Sequence, residues 1–194
     1  MRLLAFGDSF VAGACDPDHL GWIGRALAGR ADVTLYNLGV RRETSLDIAA
    51  RWEAEARPRL VDHEPMRLVF AFGTNDCALD DDERQPRVAP AETLKAALAI
   101  LERAKTVAPA LLVGPPPIPD AGVQARAQAL NLALQTLAAR VKVPFIDVFD
   151  AMLSAPPWLG EARVGDGIHP GAGGYAAHAD VVRAHPAWES FLEG

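Results

Sequence analysis

The chain opens, at residues 3–10, with the run Leu3-Leu4-Ala5-Phe6-Gly7-Asp8-Ser9-Phe10. Its apolar residues stop abruptly at Gly-Asp-Ser, a pattern that predicts a short buried strand followed by a tight turn. Such a turn would bring the hydroxyl of Ser9 to the carboxyl edge of a sheet. Open α/β sheets carry their chemistry at that edge. Ser9 is therefore a candidate functional residue.

The length and the charge of the chain limit its class. Half of its 194 residues are hydrophobic, which is enough for one sizeable core, and we expect a single domain over residues 1–194. The formal net charge of -6 comes without a basic run, which argues against a nucleic-acid surface and against a patch for anionic membranes. The favoured partner is a small molecule.

The N-terminal sequence and the cysteines indicate the cellular compartment in which the protein is expected. The apolar run from Leu3 to Phe6 is shorter than the core of a secretion signal. No stretch reaches the length of a membrane span, so we expect a cytoplasmic protein. Cys15 and Cys77 each follow a candidate site segment, which favours reduced thiols over a structural disulfide.

Strand and helix signals alternate along the chain. Besides the first strand, apolar runs predict strands at 33–37, 68–72, 110–114 and 143–148. The spacing of apolar residues predicts helices at about 19–30, 44–57, 90–107, 123–141 and 173–183. This alternation through five cycles predicts a three-layer α/β/α fold with a five-stranded parallel sheet.

Three other segments are predicted as loops. They cover residues 11–18, the acidic run 80–83 and residues 155–165. The last of them contains Trp158, a candidate pocket wall because this segment leads towards Asp166. The terminal cluster of Trp188, Phe191 and Leu192 could dock on its own domain or on a neighbour, so the oligomeric state stays open.

Polar residues follow three of the predicted strands. Ser9 follows the first strand, Asn37 to Gly39 the second and Asn75 the third. Because the carboxyl ends of parallel strands share one edge, these segments should converge in space. Farther along, the run Asp166-Gly167-Ile168-His169-Pro170 supplies a carboxylate and an imidazole that a turn would bring close together.

These residue types suit nucleophilic attack on a carbonyl group. A neutral imidazole such as that of His169 can take the proton of a serine hydroxyl near pH 7. Asp166 could hold one ring nitrogen and leave the other facing Ser9. The backbone N–H groups of Ser9 and Gly39 and the side-chain amide of Asn75 could receive the negative charge that develops on the carbonyl oxygen.

The motifs together resemble the four sequence blocks of the GDSL or SGNH hydrolases. The blocks are Gly7-Asp8-Ser9, Asn37-Leu38-Gly39, Gly73-Thr74-Asn75-Asp76 and Asp166-Gly167-Ile168-His169-Pro170. They occur in the order of that family and extend over residues 7–170, nearly the whole chain.

The resemblance implies a fold, an activity and a set of roles. The fold is a flavodoxin-like sheet with strand order 2-1-3-4-5. The implied roles are Ser9 as nucleophile, His169 as base, Asp166 as its partner, and Gly39 and Asn75 as oxyanion donors. The implied activity is that of an esterase, lipase, thioesterase or carbohydrate deacetylase, and it needs no cofactor. We expect it to proceed through an acyl-serine intermediate.

Each motif also has an ordinary structural explanation when it is taken alone. Serine suits a helix cap such as position 9, Asn75 suits a turn and His169 suits a surface loop. Asp8 is an alternative to Asp166 as the acid that orients the imidazole. We expect Asp8 instead to hold the Ser9 turn through hydrogen bonds to the backbone.

A non-catalytic module that binds a nucleotide or a glycan at the same edge is the alternative function. Neither a Gly-x-Gly-x-x-Gly motif nor a Gly-Lys-Ser/Thr phosphate loop occurs, which speaks against a nucleotide. The other histidines lack the spacing of metal ligands, so we expect no metal; they are His19, His63, His178 and His185.

One segment departs from the family pattern. After Gly39 the family often has small residues, whereas this chain has Val40-Arg41-Arg42-Glu43. We hypothesise that Arg41 or Arg42 lines the rim of the pocket and favours acyl groups or alcohols with a negative charge.

Overall fold

The computed structural model describes residues 1–80, 82 and 84–193 of the chain. Its strands are β1 (Arg2–Gly7), β2 (Thr34–Gly39), β3 (Met66–Ala71), β4 (Ala110–Val113) and β5 (Phe145–Ile146). They form one five-stranded sheet in the order β2-β1-β3-β4-β5, and every neighbouring pair is parallel. The predicted three-layer fold and its strand order are confirmed.

Helices connect the strands and cover the sheet. In chain order they are α1 (Ser9–Ala12), α2 (Gly21–Ala26), α3 (Ser45–Ala56), α4 (Thr74–Cys77), α5 (Pro90–Ala104), α6 (Ala121–Val141), α7 (Phe149–Ser154), α8 (Pro156–Val164), α9 (Ala172–Ala184) and α10 (Pro186–Glu193). A single 3-10 turn, Arg57–Arg59, extends α3. No helix within the described part of the chain combines the length and the apolarity needed to cross a lipid bilayer.

The helices form two layers around the sheet. α3, α5 and α6 pack side by side in one layer, while α2, α8 and α9 pack together in the other. Every residue of β3 and of β4 is buried, as expected for strands that helices cover on both faces. The predicted apolar face of α6 is also confirmed, since its members are all buried; they are Val123, Ala127, Leu130, Leu134, Leu137 and Val141.

The prediction of a loop at 155–165 was wrong, because most of this segment forms α8. Pro156 occupies the first turn of the helix, where the N–H that proline lacks would have no intrahelical acceptor. Trp158 is fully buried and packs its ring 5.5 Å from that of Phe10. It is therefore part of the core and not a pocket wall.

Several element boundaries also differ from the predictions. Val11 and Ala12, expected in a loop, belong to α1. β5 pairs with β4 only through Phe145 and Ile146, because the preceding Pro144 has no N–H to donate to a ladder. The predicted solvated loop at 80–83 stays a prediction, since residues 81 and 83 lie outside the described residues.

The C-terminal aromatic cluster docks on its own chain. Trp188, Phe191 and Leu192 are buried where α10 packs against α9 and β5. The guanidinium of Arg67, a buried residue of β3, donates a hydrogen bond to the carbonyl of Phe191. The cluster thus closes one end of the core.

The junction of β1 and α1 is sterically tight. A Cβ atom at Gly7 would lie 2.3 Å from the carbonyl oxygen of Ala71, and one at Gly39 would lie 2.2 Å from the backbone nitrogen of Ala12. Real Cβ atoms do not approach other atoms so closely, so glycine at both positions lets α1 lie directly against the ends of the strands. This contact places Ser9, the first residue of α1, at the carboxyl edge.

Asp8 caps α1 from inside the protein. Its Oδ1 accepts a hydrogen bond from the N–H of Phe10 at 2.9 Å, as the sequence predicted for a residue that holds the Ser9 turn. The carboxyl group is only 3% exposed. Burial raises the pKa of Asp8 to about 7, although the hydrogen bond from Phe10 acts in the opposite direction.

Replacing Asp8 with asparagine should therefore remove a pH dependence of stability. At pH values between 3.8, the ordinary pKa of this carboxyl group, and about 7, Asp8 keeps its proton in the folded protein but loses it in the unfolded chain. The resulting stabilisation is complete below pH 3.8 and is lost as the pH rises through about 7. The native protein should lose this stabilisation as the pH rises, and Asp8→Asn should not. We therefore expect the free energy of unfolding of Asp8→Asn, minus that of the native protein, to increase by about 2 kcal/mol between about pH 5 and about pH 8.

Urea denaturation followed by circular dichroism at both pH values measures this difference. Asp150→Asn is the matched control, because Asp150 is an exposed carboxyl on α7. A stability difference for Asp8→Asn that does not change with pH would contradict the assignment of a raised pKa.

Candidate active site

Ser9, His169 and Asp166 lie in one hydrogen-bonded row. The hydroxyl Oγ of Ser9 is 2.7 Å from Nε2 of His169, although the two residues are 160 positions apart in the chain. Nδ1 of the same ring is 2.7 Å from Oδ2 of Asp166. The structure thus brings together the hydroxyl that follows β1 and the imidazole that precedes α9.

A tight turn fixes Asp166 against His169. Oδ1 of Asp166 accepts hydrogen bonds from the N–H of Ile168 at 2.9 Å and from the N–H of His169 at 2.8 Å. Burial by itself would raise the pKa of Asp166, but these N–H groups and the ring of His169 outweigh it and hold the pKa well below its usual range. The ionised carboxylate accepts a hydrogen bond from the N–H at Nδ1, which leaves the lone pair of Nε2 free to accept the hydroxyl proton of Ser9.

The imidazole of His169 is packed as well as hydrogen-bonded. It is 6% exposed, and its ring centroid lies 5.2 Å from that of Phe10, which in turn packs on Trp158. The Phe10–Trp158 pair therefore limits rotation of the imidazole. The sequence carried no signal for this support, because Trp158 belongs to the segment that was predicted as a loop.

Glu161 is a further positioning residue that the sequence did not indicate. Its Oε2 accepts hydrogen bonds from the N–H of Gly171 at 2.9 Å and from that of Gly174 at 2.8 Å. Gly171 is the N-cap residue of α9 and Gly174 lies in its first turn, and the backbone N–H groups at both places have no intrahelical acceptor. This contact ties α9, and with it the turn that carries His169, to α8.

Asn75 and Ser9 line the same cavity. The side-chain Nδ2 donates hydrogen bonds to the carbonyl of Glu43 at 3.0 Å and, less favourably, to Oδ2 of Asp8 at 3.4 Å. Ser9 occupies the first turn of α1, so its N–H has no acceptor within that helix. Two residues that line the cavity thus carry N–H donors, the backbone of Ser9 and the side-chain amide of Asn75.

Asp76 holds the short helix that carries Asn75. It is 1% exposed and accepts hydrogen bonds from the N–H of Ser45 at 3.0 Å and from the hydroxyl of Thr93 at 2.9 Å. The hydroxyl of Ser45 donates to it as well. Asp76 therefore joins α3, α4 and α5 at one buried point.

Gly39 does not belong to the lining of this cavity. Its N–H donates to Oδ1 of Asn37 at 3.1 Å, while Nδ2 of Asn37 donates to the carbonyl of Val11 at 2.7 Å. Asn37 thus links the end of β2 to α1. The structure gathers Ser9, Asn75 and the Asp166–His169 turn around one cavity and leaves Gly39 beside α1.

The cavity has a volume of about 180 Å³ and walls of mixed character. Ile118 and Ile168 supply apolar surface, and the exposed residues Arg41 and Arg42 also line it. The hypothesised position of the two arginines at the pocket is therefore observed.

Cys15 is exposed and contacts the same row of side chains. Its thiol donates a hydrogen bond to Oδ2 of Asp166 at 3.4 Å, and partial burial together with this bond raises its pKa. Within the described part of the chain, Cys15, Asp166 and His169 could offer metal-ligand atoms within 4.8 Å of one another. A metal bound to the imidazole of His169 would displace a hydrogen-bond partner of that ring, Asp166 at Nδ1 or Ser9 at Nε2.

Comparisons with known proteins bear on the family and the fold of the chain. Residues 5–177 match the model of the family described as GDSL-like lipase/acylhydrolase. Curated proteins gave no match. Among solved structures, a lipolytic protein of the G-D-S-L family from Veillonella parvula superposes with a TM-score of 0.75 at 20% identity, with 100% of each chain covered.

Two enzymes have a similar backbone. The lipase/acylhydrolase from Enterococcus faecalis gives a TM-score of 0.72 at 23% identity and covers 94% of this chain and 93% of its own. The acetylxylan esterase Axe2 from Geobacillus stearothermophilus gives 0.75 at 17% identity, with 93% and 91% covered. At such identities the likeness shows the fold. The family match extends over most of the sequence, and the chain belongs to the GDSL-like lipase/acylhydrolase family as a carboxylic ester hydrolase.

Proposed function

We propose that this hydrolase cleaves its ester through a covalent acyl-serine intermediate formed on Ser9. The observation that carries the proposal is the row from Ser9 Oγ through His169 to Asp166, with 2.7 Å at each hydrogen bond. Catalytic mutants of the Geobacillus acetylxylan esterase replace a serine, an aspartate and a histidine, and the aspartate precedes the histidine by three residues there too.

The row supplies both proton transfers of acyl transfer. Ser9 Oγ attacks the carbonyl carbon while Nε2 of His169 takes the hydroxyl proton, and Asp166 stabilises the imidazolium that forms. His169 then returns the proton to the departing alcohol. In the second half of the cycle His169 takes a proton from water, the resulting hydroxide attacks the acyl group, and the acid leaves as Ser9 recovers its proton.

Three N–H groups are the proposed oxyanion donors. The N–H of Ser9 is free of an intrahelical partner, and Asn75 exchanges one of its present acceptors, Glu43 or Asp8, for the substrate oxygen. The N–H of Gly39 joins them when it releases Oδ1 of Asn37. Donors of this kind act on the charge of the transition state more than on the neutral carbonyl, so they raise kcat.

Ser9→Ala should abolish turnover without unfolding the protein, since alanine fits the first turn of a helix. We expect hydrolysis of p-nitrophenyl acetate to fall by about 10³-fold or more. A fluorophosphonate probe should add its mass to the native protein and not to the variant. Ser154→Ala, which alters an exposed serine, is the control. Retained labelling of Ser9→Ala would place the nucleophile elsewhere.

Asn75→Ala should lower kcat by about 10²- to 10³-fold and change KM much less, because one oxyanion donor is lost. Asn75→Asp removes the same N–H groups at nearly constant shape and should lose at least as much activity. Steady-state kinetics on p-nitrophenyl acetate, with thermal denaturation to verify folding, measure both variants. A purely KM effect would show that Asn75 binds the substrate without stabilising the transition state.

A further inference from the structure

Two arginines at the cavity are free of carboxylate partners. Arg41 and Arg42 line the space beside Ser9, and neither forms an ion pair with any of the described residues. The chain as a whole carries a net charge of -6. Adjacent uncompensated positive charges in an acidic protein are a local feature that a ligand can use.

The nearby carboxylates are occupied by other donors. Glu43, the next residue in the chain, accepts from Nε of Arg51 with both oxygens, at 2.8 and 2.6 Å. Asp47 accepts from the backbone and the hydroxyl of Thr44. Asp166 is held by its own turn. Arg41 lies near the thiol of Cys15, and neither Arg41 nor Arg42 is paired with a carboxylate of the described residues.

The backbone holds this segment in place without using the two guanidinium groups. Arg42 has a φ of 69°, a left-handed conformation that a residue with a side chain adopts at some cost. Arg87 donates to the carbonyl of Arg42 at 2.9 Å, and Asn75 donates to that of Glu43 at 3.0 Å. The proposed oxyanion donor Asn75 is thus hydrogen-bonded directly to the segment that presents the arginines.

We propose that Arg41 and Arg42 form a subsite for a carboxylate group of the substrate. The ester that this enzyme prefers then carries a negative charge on its acyl part or on its alcohol part, within reach of the cavity beside Ser9. A guanidinium binds a carboxylate with two parallel hydrogen bonds, and an anion between two arginines relieves their mutual repulsion. This inference rests on the proposed function, because the subsite is defined by its distance from the proposed nucleophile.

Two matched pairs of esters test the subsite. In the acyl pair, the mono-p-nitrophenyl ester of adipic acid is compared with its methyl-capped diester. In the alcohol pair, 4-acetoxybenzoate is compared with its methyl ester. The measured quantity is the ratio of kcat/KM for the anionic ester to that for its neutral partner. This ratio cancels any general loss of activity in a variant.

The variants are Arg41→Gln, Arg42→Gln and the double replacement. Arg140→Gln is the control, because it removes the same charge from an exposed position in the last turn of α6, at the opposite edge of the sheet. We expect each single replacement to lower the ratio about 5- to 10-fold in one of the two pairs, and the double replacement to lower it further. Arg140→Gln should leave the ratio unchanged.

The dependence on salt gives a second readout. Raising the salt concentration from about 50 mM to about 500 mM should weaken the preference of the native enzyme for the anionic ester, since screening reduces attraction between exposed charges. The ratio of the double variant should respond much less.

The outcomes separate the two proposals. A loss of preference in the acyl pair places the carboxylate on the acid part, and a loss in the alcohol pair places it on the alcohol part. If the replacements change the ratio in neither pair, the proposed subsite is wrong. The proposed function is not affected by that result, provided that the neutral esters are still hydrolysed through Ser9. Absence of all hydrolysis and of labelling at Ser9 would overturn the proposed function itself.

Discussion

The close packing of the short helix α1 against the ends of β1 and β2 determines where the residues of the site can lie. α1 lies so close to the strand ends that a single added carbon would collide with the side chain of Val11 at Gly7 and with the backbone of Ala12 at Gly39. That closeness puts Ser9 at the sheet edge, where the turn before α9 can reach it from a distant part of the sequence. Asn37 reinforces the same contact, since it bonds to the carbonyl of Val11 on one side and to the N–H of Gly39 on the other. Gly39 thus serves the site through packing whatever its part in the reaction.

Two carboxyl groups beside this helix show how local donors decide the ionisation of an acid. Asp8 is almost fully buried and receives one backbone hydrogen bond and a long contact from Asn75, so desolvation wins and its pKa rises to about 7. Asp166 receives two backbone hydrogen bonds and one from the imidazole, and because these hydrogen bonds outweigh the effect of desolvation, its pKa falls. Asp166, and not Asp8, is also the carboxyl group that contacts the imidazole of His169, at 2.7 Å from Nδ1.

The parts of the structure that follow a strong local pattern were predictable from the sequence. The continuous apolar runs of β1, β3 and β4 and the apolar face of α6 belong to this class, because each reports burial directly. Three of the four motifs also indicated residues that line one cavity, namely Ser9, Asn75 and the Asp166–His169 turn, whereas Gly39 of the remaining motif lies outside its lining. Membership of a hydrolase family argues against the non-catalytic binding module that the fold alone would have allowed.

The remaining features depend on contacts between distant segments. α8 was missed because Pro156 and Pro157 favour a loop in isolation, whereas the buried environment of Trp158 stabilises a helix. Glu161 has a role only because the first turn of α9 lies against it. The partner of the Gly39 N–H likewise depends on how β2 meets α1. No local pattern encodes such pairings.

The central claim is that the acyl group of the substrate passes through Ser9. Rapid acid quenching of the native enzyme during turnover of p-nitrophenyl acetate, followed by peptide mapping with mass spectrometry, tests it most directly. The account predicts an acetyl group on the peptide that contains Ser9, accumulating with a burst of p-nitrophenol. Acetylation of a different side chain, or steady turnover with the Ser9 peptide always unmodified, would contradict it.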